Sequence, residues 1–138
     1  MEDRYLFKAK RIDNGEWVLG VLFDGENHCI IGQEIKFSPY QTNECKIVGY
    51  EVDRNTICQS TGMRDKNCKL IWENDIVRDE YGNFYKAFWQ NDYYQFSFCA
   101  KTGVFPAGAK WNLWSFKSYE IEVVGNIFDD PELSESEG

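Results

Sequence analysis

Nowhere in the sequence do apolar residues recur at helical spacing over a window of about eleven residues, so an α-helical bundle is excluded. Histidine occurs once, as His28. The five cysteines (Cys29, Cys45, Cys58, Cys68, Cys99) include no CxxC pair. A closed zinc site draws on two close-spaced ligand pairs, so neither a structural metal nor any other cofactor is expected. Gly15, Gly20 and Gly25 stand apart and make no phosphate-cradling loop. No apolar run has the length of a membrane span, and the start, Met1-Glu2-Asp3, is acidic where a leader would be apolar. These absences predict a reduced, cytoplasmic chain with unpaired thiols and no membrane contact.

Basic charge is also scarce. The net charge is −8, and the last ten residues, Asp129 to Gly138, hold five acids and no base. The remaining body, with 15 bases against 18 acids, stands at −3. That balance disfavours a nucleic-acid partner without excluding a local basic patch.

Aromatic residues, in contrast, are abundant: ten Phe, eight Tyr and five Trp in 138 residues. They suit half-buried pleated surfaces and exceed what core volume requires. A protein partner, or another copy of the chain, is the expected use of the surplus, which makes the chain a homo-oligomer by expectation. The runs Phe84-Lys86-Phe88 and Tyr94-Phe96-Phe98 could instead form a stacking platform for single-stranded nucleic acid.

Alternating segments separated by turn residues fill the chain. Arg4–Arg11 and Glu16–Phe23 flank Asn14-Gly15, a strong hairpin signal because both residues tolerate positive φ. Gly20 within the second run suggests a bulge or a close backbone approach. Asp24-Gly25 turns into a short apolar strand, His28–Ile31. Gly32–Glu44, with Pro39, reads as a loop. Strand-like runs follow at Cys45–Val52, Phe84–Trp89, Tyr93–Cys99, Trp111–Phe116 and Ser118–Asn126. This pattern predicts a single all-β domain over residues 1–128, a β-barrel or sandwich of roughly eight to ten short strands and hairpins. An acidic, disordered tail is expected over 129–138.

Two longer runs carry a resemblance. Thr61-Gly62-Met63-Arg64-Asp65-Lys66-Asn67, followed by Ile71-Trp72-Glu73-Asn74-Asp75-Ile76-Val77, is similar to the central signature of the YopX family. Val123-Val124-Gly125-Asn126-Ile127-Phe128-Asp129-Asp130-Pro131-Glu132-Leu133 resembles that family's closing motif, and Lys10–Val18 its opening. The resemblance implies a protein of phages and prophages with an SH3-like portion in its β fold and no assigned molecular function. A non-catalytic accessory role is therefore expected. Where family members often carry glycine, this chain has Cys68 and Asn74. Asn tolerates the left-handed region and Cys does not, so positive φ is expected at Asn67 and Asn74.

The charged cluster Arg64, Asp65, Lys66, Glu73, Asp75 and Arg78 is expected to cap turns and pair across strands. Metal binding or acid–base work is the alternative. Asp75, just before Ile76-Val77, is expected to accept backbone amides at a strand start. A Cys–His dyad would have to use His28, whose neighbour Cys29 faces the other side of a strand. Trp111 and Trp114, after a Gly/Pro connection, suit a partner surface. The candidate interaction surface is thus Arg64, Asp65, Lys66, Trp72, Glu73, Trp111 and Trp114.

Overall fold

Period-two alternation without helical runs forces the chain to satisfy its backbone polar groups between strands. In the computed structural model, residues 5–36 and 45–134 are described. They contain eleven strands and one four-residue α-helix. The pairings are antiparallel, and neither sheet closes into a barrel among the described residues. The strand number exceeds expectation because two strands, Leu70–Trp72 and Lys110–Asn112, are only three residues long, too short to show a period. The chain divides into two compact units, Met1–Gln59 and Ser60–Gly138.

In the first unit β1 (Phe7–Lys10), β2 (Trp17–Asp24), β3 (Cys29–Lys36) and β4 (Cys45–Glu51) lie in the order β4-β3-β2-β1. Gly15 takes φ 74° in the expected turn. A Cβ at Gly20 would meet the Gly32 carbonyl, so the expected close backbone approach is present. β3 runs on through Gly32 to Lys36, further than the expected apolar strand. The rest of the expected loop, 37–44, lies outside the described residues. Ala9, Val18, Cys29, Ile31 and Val52 form the buried side of this sheet, with Phe7, Leu22, Tyr50 and Ile57 packed against them.

β5 (Cys58–Arg64) begins in the first unit and ends in the second. The second unit continues with β6 (Leu70–Trp72), β7 (Asp75–Asp79), β8 (Phe84–Gln90), β9 (Gln95–Thr102), β10 (Lys110–Asn112) and β11 (Ile121–Asn126). Its five-stranded sheet has the order β10-β9-β8-β7-β11. Register pairs Val77 with Tyr85, Tyr85 with Ala100 and Ala87 with Phe98. Directly opposed residues share a face, so these three strands deliver one apolar layer, joined by Ile71 and Ile121. Burying a ring such as Phe98 stabilises the fold by about 1.5–3 kcal/mol. Between β10 and β11 the chain makes two 3₁₀ turns, Leu113–Ser115 and Ser118–Glu120, where strand had been expected.

The alternative, a stacking platform built from both aromatic runs, does not assemble. Phe88 opposes Ser97, whereas Phe96 opposes Trp89 and Phe98 opposes Ala87. The two aromatic runs therefore project from opposite faces, and Phe98 is wholly buried. Tyr94 leaves the sheet altogether, taking φ 53° in the turn before β9.

The closing motif explains itself. A Cβ at Gly125 would run into the Asp130 carboxylate and Leu133, which lie over it. Asp130 accepts the Asn126 N–H at 3.2 Å. The Asn126 amide oxygen accepts from Phe128 and Asp129 at 2.9 Å each. Part of the acidic tail is thus used structurally, as the helix Pro131–Ser134; residues 135–138 lie outside the described ones.

Of the two lost glycines, Asn74 takes φ 73° as expected. Asn67 does not take positive φ; Cys68 itself does, at 62°. The turn geometry demands the left-handed state at that position whatever residue stands there, so the cysteine bears the strain. Left-handed geometry costs a non-glycine residue about 1–2 kcal/mol, and glycine's extra unfolded freedom offsets about 0.5–1 of that. Cys68→Gly should therefore raise stability by about 0.5–1 kcal/mol, seen as a higher urea midpoint at unchanged slope. A midpoint that does not rise would show that Cys68 is unstrained.

Candidate functional site

The central motif is a buried acid with its hydrogen bonds filled. Asp65 is 3% exposed. One carboxylate oxygen accepts the amides of Asn67 and Lys69 at 2.9 Å each, and the other accepts the Val123 amide at 2.8 Å. The Lys66 amide donates to the Ile121 carbonyl at 3.0 Å. The acid therefore shapes its own turn and fastens that turn to β11. Asp75 plays the expected part at the start of β7, accepting the Trp72 amide at 2.9 Å. Among the described residues no three His, Cys, Asp or Glu side chains group as a metal site.

The remaining members of the predicted surface separate. Trp72 is buried. Arg64 donates to the Cys68 carbonyl at 2.7 Å. Lys66 and Arg78 each approach Glu122 at 3.2 Å, and this double pairing, the Lys66 bond first, holds the Glu122 carboxyl below its ordinary value. Glu73 is half-buried. His28 and Cys29 also diverge: the imidazole meets Glu51 at 2.9 Å, while the thiol donates to Asp24 at 3.1 Å. Burial, then that bond, pushes the Cys29 thiol up and keeps it protonated.

Trp111 is the predicted residue that reaches a cavity. It lines an open cleft of about 460 Å³ together with Asp79, Glu80, Tyr81, Tyr85, Phe105 and others. The walls are aromatic. Trp111 meets Phe105 at 4.8 Å and Tyr85 at 5.5 Å between ring centroids, and Phe116 meets Tyr85 at 5.1 Å, all edge to face. Asp79, Glu80 and Glu120 are its acidic lining residues, and neither lysine nor arginine lines it. Tyr81 registers the field of these acids: its hydrogen bond to Glu80 first, then the charges of Glu80, Asp79 and Glu120, raise its phenol. Trp114 is exposed nearby in sequence but does not line the cleft.

Asp79 organises the floor. One oxygen accepts the amides of Tyr81 and Asn83 at 3.0 and 2.9 Å; the other accepts the Asn83 side-chain amide at 2.9 Å and the Tyr85 hydroxyl at 2.8 Å. The Asn83 amide oxygen in turn accepts the Val104 N–H, at 2.9 Å, which ties down the Gly/Pro connection. Burial alone would raise the Asp79 carboxyl; the hydrogen bonds from Asn83, Tyr85 and Tyr81 outweigh it and leave the carboxyl lowered. Burial and the bond to Asp79 push the Tyr85 phenol up. Sequence reading passed over these acids and Phe105. The signal was there in Val104-Phe105, large apolar residues within a Gly/Pro-rich connection.

The model of one family, described as YopX protein, matches residues 6–135. No curated protein matches the chain.

Asp65→Ala would deprive three part-buried amides of their acceptor and should destabilise the protein by about 3 kcal/mol, read as a large fall in urea midpoint; a fall below ~1 kcal/mol would deny the clamp. For Asp79, a lowered folded carboxyl adds stability above its ordinary titration range and loses it as pH falls through the folded value. The stability gap between wild type and Asp79→Asn should therefore shrink from neutral pH to below about pH 4. A pH-independent gap would count against the ionised role.

Proposed function

The chain belongs to the YopX family, and from that premise we propose that it is a non-catalytic accessory protein acting by protein–protein interaction. The cleft beside Trp111 carries this reading. Its aromatic walls and three carboxylates suit a cationic side chain, lysine or arginine, presented by an extended segment of a partner protein. Aromatic faces attract the cation's charge, the acids complement it, and the apolar walls accept its methylene stem. A phage- or prophage-encoded protein in the bacterial cytoplasm, able to self-associate, is the setting we propose with it. The motif resemblance supports that setting. Among the described residues, no helix is long and apolar enough to cross a membrane. The short antiparallel strands support the finer proposal of an SH3-like portion.

The test is a panel of short peptides identical except for one central lysine, arginine, glutamine or glutamate, titrated by Trp fluorescence. Lysine or arginine peptides should bind, and Glu80→Gln with Glu120→Gln should weaken them about ten-fold. Phe105→Ala, at a half-exposed wall position, should weaken them similarly. Equal binding across the panel would sink the proposal. Salt-sensitive binding of oligonucleotides in place of peptides would favour a nucleic-acid-binding module instead.

A further inference from the structure

Trp111 and Ser115 line two cavities, the acidic aromatic cleft and a second open one of about 560 Å³. The second has the opposite character: Gln90, Gln95, Lys110 and Asn112 line it, and no acid does. Register puts the two on different faces of the sheet. Trp111 opposes Phe98, while Lys110 opposes Cys99 and Asn112 opposes Ser97. Gln90 opposes Gln95, which lies two residues before Ser97. Trp111 therefore joins the apolar face of Tyr85 and Phe98, and Lys110, Asn112, Gln90 and Gln95 share the other.

The amides of the second cavity are held in a fixed order. The Gln95 side-chain nitrogen donates to the Asn112 amide oxygen and, at 3.3 Å, to the Ser97 hydroxyl, which donates to the Gln90 amide oxygen at 2.9 Å. This circuit engages the oxygens of Gln90 and Asn112. It leaves the amide nitrogens of both without a protein partner among the described residues. Lys110 lines the same cavity. Its ammonium lies 5.9 Å from the Phe88 ring centroid and pairs with no acid among the described residues. Two amide donors and an ammonium suit a carboxylate, which when ionised only accepts.

β10 also offers its backbone, for it ends the sheet and is bonded to β9 alone among the described residues. An extended segment added along that open edge sends successive side chains to opposite faces. The residue set against Trp111 enters the acidic cleft, and the one beside it in sequence faces Lys110 or Asn112. We propose that the β10 edge takes a strand of a partner protein in which a lysine or arginine adjoins a glutamate or aspartate, the cation in the cleft and the carboxylate in the second cavity. The proposal rests on the cationic reading of the cleft and adds the partner's neighbouring residue. A strand of one charge sign matches only one of the two cavities.

Peptides with a central lysine, titrated against the full chain by Trp fluorescence, test the neighbour. Glutamate, glutamine or lysine is placed in turn one or two residues before or after that lysine. Glutamate one residue away, on the side set by the strand's direction, should bind about ten-fold tighter than lysine there. Two residues away the choice should matter little. Lys110→Glu, at an exposed position, should turn the neighbour preference to lysine while the central lysine stays required, with circular dichroism checking the fold. Three results would overturn the second site and leave the cleft reading standing: a required central lysine with no neighbour preference, a preference found two residues away, or one that Lys110→Glu leaves in place. No binding, or equal binding when glutamine or glutamate replaces the central lysine, would overturn both.

Discussion

A carboxylate out of water needs donors, and in the second unit Asp65 obtains all of them from backbone amides. The requirement fixes much around it. The turn after β5 must curl back so that Asn67 and Lys69 point their amides at one oxygen. β11 must run close enough to offer Val123 to the other. Curling that turn puts Cys68 into left-handed geometry, and the fastening sets β11 beside β7, where Val123 opposes Val77. A charged residue in a conspicuous motif here does structural work: its carboxylate is buried and its three bonds are spent inward.

The same logic separates Asp79 from Glu80 and Glu120. Asp79 spends its four acceptor positions on Tyr81, Asn83 and Tyr85, which makes it a foundation for the aromatic wall. Its neighbours in the lining supply field. The cleft is thus assembled from a turn after β7, a connection after β9 and a 3₁₀ segment after β10. These elements are far apart in sequence and individually bland.

That dispersal explains what could be read from the sequence. Turn chemistry is local, so Asn14-Gly15, Asn74 and the Asp75 strand entry were all legible. The two motif runs were legible as a family signature, and the bond from Val123 to Asp65 joins them. Facing was less so. Phe84–Phe88 and Tyr94–Phe98 have the same period, but only register decides whether two runs share a face, and it opposes Phe88 to Ser97. Cys68 takes the left-handed state against its propensity because the backbone circuit around Asp65 places that state at position 68. Of the predicted surface, Trp111 alone came to line the cleft, since burial claims Asp65 and Trp72 and neighbouring groups engage Arg64 and Lys66.

The bond from Val123 to Asp65 spans 58 residues. During synthesis from the N-terminus, the acid therefore leaves the ribosome long before the amide that completes its shell. The second unit has to wait for its own last strand, with the Asp65 side chain hydrated until β11 arrives. Closing so long a loop is slow compared with hairpin formation. The closing motif, with Asp130 and Leu133 against Gly125, holds β11 in the place that the Asp65 bond requires.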